Sequence, residues 1–386
     1  MTIALSLVSL SLIVFGVIYV RQLSLFVKGL SRLSAGKNNR QYSVDVIVAA
    51  RNEEKTIEDC VRALTQQDYP RERYRVIVVD DQSTDRTPAI VDTLTRQHPN
   101  LSLEHVKTQS SEVSPKINAL EQGLKTSTSE LVFTTDADCI VGPQWISTIV
   151  KHFEDNVGVV SGITLFENKN HVSPTLFGFQ AIDFFSQTAC GAGAIGLGSV
   201  NNCNGSNMGF RRSAFAEVNG YASIAHVNSG SDSLLAQRIV STTKWKMRFA
   251  FEPTSHVKTV PLTSWNALLQ QRMRWAGQTT YYSASTLLFL IASFGLYFFL
   301  LVSLPISLVS LTSFPAPVCI LILKCLTDYW IIARFMRLSE VDGLTKYFLV
   351  SEVIHLPVIV AAVIGSFFGN FEWSGRRMQR QTSRQS

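Results

Sequence analysis

The chain has 386 residues, of which 46% are hydrophobic and only 17% charged, with a formal net charge of +6. Soluble proteins carry about 25% charge, so a wholly soluble globular domain is disfavoured; six cysteines without CxxC pairs or Cys/His ligand spacing exclude a disulfide framework or a zinc site and fit a reducing compartment. The basic residues crowd beside apolar segments (Arg21, Lys28, Arg32, Lys37 and Arg40, then Arg376, Arg377, Arg380 and Arg384), which suits an anionic membrane surface and gives no reason to expect a nucleic-acid partner.

In chain order, residues 3–20 come first. They are uncharged and, at about 18 residues, just long enough to span a bilayer. No Lys or Arg precedes them, and basic residues rather than a small-residue cleavage site come next. Residues 1–22 therefore read as a retained anchor, and the positive flank places the adjoining globular region in the cytoplasm.

Residues 41–282 have globular character. Apolar, β-branched runs at 44–50, 75–79, 103–106 and 131–135 predict strands. Between them Ile57, Cys60, Val61 and Leu64 share a helix face, as do Ile90, Val91 and Leu94, and Ile117, Leu120 and Leu124. Strand–helix alternation about 30 residues apart predicts right-handed βαβ units and an α/β domain with a mostly parallel sheet. In such sheets ligands bind at the carboxyl ends of the strands. Polar clusters stand at three of those ends: Arg51-Asn52-Glu53, Asp80-Asp81-Gln82-Ser83-Thr84-Asp85 and Asp136-Ala137-Asp138. Ser83 and Asp85 also suit helix capping, but together the clusters point to one shared site. Asp136 and Asp138, two residues apart, can turn the same way. Paired carboxylates of that kind favour Mg²⁺ or Mn²⁺ bridging to a diphosphate.

Residues 177–206 are rich in Phe and Gly and contain a formal G-x-G-x-x-G at Gly191, Gly193 and Gly196. No buried strand precedes it and no regular amphipathic helix succeeds it, so a dinucleotide site is rejected in favour of a membrane-proximal loop or amphipathic helix shaping an acceptor entrance. Arg272, Arg274 and Trp275 stand just ahead of an apolar block. Arginines clamp phosphate oxygens, and Trp suits an acceptor platform or a membrane-interface belt. Within residues 283–370 lie three apolar blocks, 286–311, 314–335 and 347–368. Lys324 and Asp328 fall on one helix face of the middle block and are expensive at bilayer depth unless paired or turned inward. That block therefore packs against its neighbours or lies partly at the interface. Three full crossings from a cytoplasmic domain would put the Arg-rich tail, residues 371–386, outside. One block is thus expected to be re-entrant or interfacial, or the first to break near Pro305.

Several of these stretches together resemble the family 2 glycosyltransferases. Residues 46–54 and 78–87 are similar to that family's opening motifs, and Ser114-Pro115-Lys116-Ile117-Asn118-Ala119-Leu120 to its GKxxAL segment, with Pro115 in place of glycine. Asp136-Ala137-Asp138 resembles the DxD motif, Gln271-Arg272-Met273-Arg274-Trp275 the Q-x-x-R-W motif, and residues 371–376 a WKGR element of lipid-directed members. Residues 231–239 resemble an E-D-x-x-L-x-x-R-L stretch, with Ser231 replacing its Glu and Asp232 in the place of its general base. Asp232 also reads as the N-cap of a helix from Ser233.

The resemblance implies a GT-A fold, a nucleotide-sugar donor, most often UDP, and inversion at the sugar carbon. It assigns Ala50, Asn52, Glu53, Asp80, Asp81, Lys116 and Asp136 to the donor, Asp136 and Asp138 to Mg²⁺ or Mn²⁺, and Asp232 to catalysis. Gly205, Ser206, Gln271, Arg272, Arg274 and Trp275 fall to the acceptor and phosphate side. The expected enzyme moves a hexosyl unit from a UDP-sugar to a lipid or polyisoprenoid hydroxyl at the cytoplasmic face of the cell (inner) membrane. A processive polysaccharide synthase is the alternative.

Overall fold

The computed structural model describes residues 2–108, 113–227, 230–277, 284–310, 314–368, 371–373 and 376–378. Helix α1, Thr2–Leu30, leads into a sheet-and-helix domain. There β1 (Val44–Ala50), α2 (Ile57–Thr65), β2 (Tyr74–Asp80), α3 (Thr87–Thr95), β3 (Leu101–His105), α4 (Pro115–Thr126) and β4 (Leu131–Asp136) alternate as the apolar periodicities predict. The rest of the domain comprises β5 (Ile140–Val141), α5 (Trp145–Lys151), β6 (Val157–Gly162), β7 (Thr164–Phe166), α6 (Pro174–Gly196), β8 (Met208–Arg211), α7 (Arg212–Glu217), α8 (Ser231–Thr242), β9 (Lys246–Ala250), β10 (Val257–Thr259) and α9 (Trp265–Ala276). Three long helices come next, α10 (Ala284–Val309), α11 (Ala316–Ser339) and α12 (Phe348–Phe368), then β11 (Phe371–Trp373) paired with β12 (Arg376–Met378). Ser374, Gly375 and residues 379–386, with the tail arginines Arg380 and Arg384, lie outside the described residues.

The main sheet runs β3-β2-β1-β4-β8-β6-β9. The first four strands and the β6–β9 pair are parallel, while β8 runs antiparallel to both its neighbours. Because β1, β2 and β4 are covered on both faces, their sequences are continuously apolar rather than alternating. The register sets Ala50 opposite Asp80 and Ala49 opposite Asp136, so three strands end together and deliver their polar clusters to one edge.

Among the described residues, four helices are long and apolar enough to cross a membrane: α1, α10, α11 and α12. The 29 residues of α1 span about 43 Å at 1.5 Å per residue. Its first half presents Ile3, Leu7, Leu10 and Val14 outward, whereas Leu23, Phe26 and Leu30 are buried against α6, α10 and α11. Residues 2–22 of the expected anchor lie within this helix, which runs on to Leu30. Helix-spaced apolar residues continue to Leu30 while Arg21 and Lys28 turn outward. A Cβ on Gly29 would overlap the Gly193 carbonyl, and one on Gly196 the Gly29 carbonyl, so α1 and α6 cross at backbone distance.

Pro305 does not break α10; it lies within the helix, close to its C-terminal end. The expected cost of Lys324 and Asp328 is met by pairing: Lys324 Nζ contacts Asp328 Oδ2 at 2.7 Å and Glu352 Oε2 of α12 at 2.5 Å. Tyr19 of α1 donates to Asp328 Oδ1 at 2.7 Å and sits 3.1 Å from the Tyr297 hydroxyl of α10. Lys324 and Asp328 of α11 thus face neighbouring helices.

Candidate active site

Asp136 ends β4, and Asp138 lies in the turn just beyond it. Thr259 of β10 donates to Asp138 Oδ2 at 3.0 Å, and the Cys139 thiol approaches Oδ1 at 3.5 Å. Burial and the neighbouring Asp136 push the Asp138 carboxyl up, against the pull of those hydrogen bonds. Ligand atoms of Asp136, Asp138 and Cys139 lie within 4.8 Å of one another. Two crowded carboxylates, one of them raised by the other, fit a hard divalent cation.

Lys116, in the first turn of α4, donates to Asp136 Oδ1 at 2.8 Å. Burial pulls its ammonium down, but Asp136 and Asp232 outweigh burial and hold it charged. Asp232 is not the N-cap of its helix. Gly230, in a left-handed conformation, precedes a helix that begins at Ser231, and Asp232 sits in its first turn, where the helix dipole favours a carboxylate. Burial nevertheless raises its pKa; Lys116 opposes the rise and Asp136 adds to it.

The segment before β8 closes on this carboxylate. Thr134 and Thr135 of β4 donate to the Gly205 and Ser206 carbonyls at 3.0 and 2.8 Å, and Ser233 of α8 holds Cys203 by accepting from its amide at 3.0 Å. The α-carbon of Gly205 then abuts the Asp232 carboxylate, leaving no room for a Cβ. Ser206 Oγ bonds Thr164 at 2.9 Å.

On the donor side, Asp81 continues β2 and donates its amide to the Ala50 carbonyl at 2.8 Å. Asn52, at φ 55°, accepts from Thr84 N at 2.8 Å, and Asp80 accepts from Ser83 N at 3.2 Å. Asp85 accepts from Thr87 N at 2.9 Å at the start of α3, so it does serve the helix start. Glu53 is pushed up to about 7, chiefly by burial and then by Asp138, Asp136 and Asp85, with Thr56 opposing.

One cavity of about 870 Å³ joins Lys116, Asp136, Asp138 and Asp232 to Gly205, Ser206, Gln271, Arg272, Arg274 and Trp275, and extends between α1, α6, α10, α11 and α12. Asp81, Asp80, Glu53, Asn52 and Ala50 do not line it; they occupy the same sheet edge next to Asp136. Arg274 is held below the usual arginine value, to about 10, by burial and Arg272, with Asp136 opposing. Arg272 is placed differently from a free phosphate clamp. It is 4% exposed, bonds Asp183 of α6 through Nε at 2.7 Å, and lies 4.2 Å over the Trp275 ring.

Asp183 and Thr259 were not singled out by the sequence. A lone carboxylate between Ile182 and Phe184 in an apolar helix was a readable signal for a buried pair; Thr259 carries none. Of the region 177–206, residues 177–196 lie in helix α6, capped by Ser173 and holding Gly191, Gly193 and Gly196, while the stretch beyond Leu197 leaves the helix.

Residues 45–218 match the family model described as Glycosyl transferase family 2. The beta-monoglucosyldiacylglycerol synthase of Synechocystis sp. is 30% identical over 236 residues, covering 60% of this chain and 47% of that protein. The poly-beta-1,6-N-acetyl-D-glucosamine synthase of Staphylococcus epidermidis is 26% identical over 260 residues, 64% of this chain and 58% of that protein. The chain thus spans about half the length of the curated relatives it matches. A mannosyltransferase from Pyrobaculum calidifontis, solved with GDP-Man and Mn²⁺, shares the fold at a TM-score of 0.60 and 19% identity, covering 94% of this chain and 99% of that one.

Proposed function

We propose that this chain, which carries a family 2 glycosyltransferase domain of GT-A fold, moves a hexosyl unit from a UDP-sugar to a hydroxyl of a lipid or polyisoprenoid acceptor, with inversion, at the cytoplasmic face of a cell membrane. One observation carries the reading: a single cavity links the carboxylates at the sheet edge to a chamber between bilayer-length helices.

In this reading the donor's nucleoside lies along Ala50, Asn52, Glu53, Asp80 and Asp81, with its diphosphate toward Asp136, Asp138, Lys116 and Arg274. Mg²⁺ or Mn²⁺ held by Asp136 and Asp138 would neutralise the departing diphosphate. The acceptor oxygen attacks the anomeric carbon as the bond to the diphosphate oxygen breaks on the opposite face. Asp232 takes the hydroxyl proton, and its raised pKa suits a base. Gly205 keeps the carboxylate accessible, and Trp275, braced by Arg272, offers the acceptor a flat wall.

A processive polysaccharide synthase is the second reading, favoured by the likeness to the staphylococcal synthase. Membranes containing the chain should label extractable lipid from a radiolabelled nucleotide sugar, and EDTA or Asp138→Ala should cut labelling at least tenfold. Long water-soluble products would instead support the synthase, and no metal-dependent transfer from any donor would sink both.

A further inference from the structure

The inner end of the cavity is polar in a way that a hydrocarbon chain does not use. Tyr19, Tyr297, Asp328, Ser351 and Glu352 line it, at the level of the bilayer-length helices. Ser351 Oγ has no hydrogen-bond partner among the described residues, although Ser351 is only 3% exposed. Buried hydroxyls of this kind are satisfied in most proteins, so its orphan state marks a place where a bound molecule completes the bonding.

The charges restrict what that molecule is. Two carboxylates, Asp328 and Glu352, share the one ammonium of Lys324. Held by both, that ammonium is engaged and not free to receive a phosphate. A cationic head group meets Lys324 already in its place, 5.1 Å from the Tyr297 ring centroid. A neutral group rich in hydroxyls fits both conditions, since each hydroxyl both donates and accepts. Carboxylates, tyrosine hydroxyls, serine and an aromatic face also suit carbohydrate.

We propose that this inner end binds the sugar hydroxyls of an acceptor that already carries a sugar. The proposal rests on reading the cavity as the acceptor site and names the acceptor's class. The transferred unit then joins a pre-existing glycan head rather than a bare alcohol.

Native mass spectrometry of the full chain, without any nucleotide sugar, tests this apart from catalysis. The probes are diacylglycerol, a monohexosyl diacylglycerol of the same chains, phosphatidylcholine and a soluble trisaccharide. The hexosyl lipid is expected to be retained at least tenfold better than diacylglycerol, and Ser351→Val and Glu352→Gln, each checked for an unchanged thermal midpoint, to abolish that preference. Retention of the trisaccharide also supports the site and assigns its sugar to a free glycan end. Equal retention of both lipids without the trisaccharide, stronger retention of phosphatidylcholine, or a preference intact in both variants overturns the proposal. Failure of nucleotide-sugar transfer would leave this binding result standing and count against the proposed function alone.

Discussion

The α-carbon of Gly205 and the carboxylate of Asp232 lie in direct contact, with no space between them for even a methyl group. The segment holding Gly205 is fixed by hydrogen bonds from Thr134, and the segment of Asp232 by the start of α8, so neither can simply retreat. Gly205→Ala is therefore expected to displace the carboxylate while leaving the sheet intact. Misplacement of a reacting group by about 1 Å costs about 100-fold in rate. Transfer assays should show at least that loss, with circular dichroism unchanged.

The base assignment is testable by pH. Asp232 must be deprotonated to accept a proton, and burial places its pKa above the ordinary carboxylate range. The acid limb of kcat/KM should accordingly lie above that range. Lys116 is the opposing influence, so Lys116→Met is expected to move the limb to higher pH. Asp232→Asn should lower kcat by about 10²–10⁴-fold while donor binding persists. Near-normal turnover in that variant would remove Asp232 from the mechanism.

Glu53 makes a stability prediction of defined sign. Its folded-state value of about 7 exceeds the ordinary glutamate value of 4.5, so the folded form binds the extra proton between them. Stability of the metal-free protein should fall as pH rises through that window, by at most about 3 kcal/mol. Glu53→Gln is expected to raise the thermal midpoint in EDTA at pH 8, with the gain shrinking toward pH 5. A gain independent of pH would contradict the electrostatic account.

Asp183 and Arg272 are 3% and 4% exposed, and His355 of α12 lies 3.3 Å from Asp183 Oδ1. Removing one partner of a buried ion pair costs about 3–5 kcal/mol. Asp183→Ala should therefore lower the unfolding midpoint sharply and free Trp275 to move, whereas Asp183→Leu combined with Arg272→Met should recover most of the stability. A single substitution as mild as the double one would mean that the pair does not brace the Trp275 wall.

The alternating strands and helices of residues 44–136 were legible because a buried parallel sheet writes itself as apolar runs with polar residues at the strand ends. The convergence of Asp136, Asp138, Lys116 and Asp232 followed from motif order alone. Less was visible where burial depends on distant partners. Nothing local distinguishes Arg272 as a bound cation from Arg272 as a free one; Asp183, 89 residues earlier, decides it. The glycines at 191, 193 and 196 formed a nucleotide-like string in sequence, yet Gly193 and Gly196 let α6 meet α1 and Gly191 lets the backbone of Asn202 approach, which only the tertiary contacts reveal. The continuation of α1 to Leu30 was likewise invisible locally: Leu23, Phe26 and Leu30 pack against other helices of this chain.

Helix α1 reaches past its lipid-like half to supply Tyr19, Leu23 and Phe26 to the cavity wall. Removing it to make a soluble catalytic fragment would open the chamber's side and strip Asp328 of its tyrosine partner. On the proposed function one rod would serve both anchorage and substrate enclosure, so sliding or tilting of that rod with bilayer thickness is expected to alter the width of the chamber.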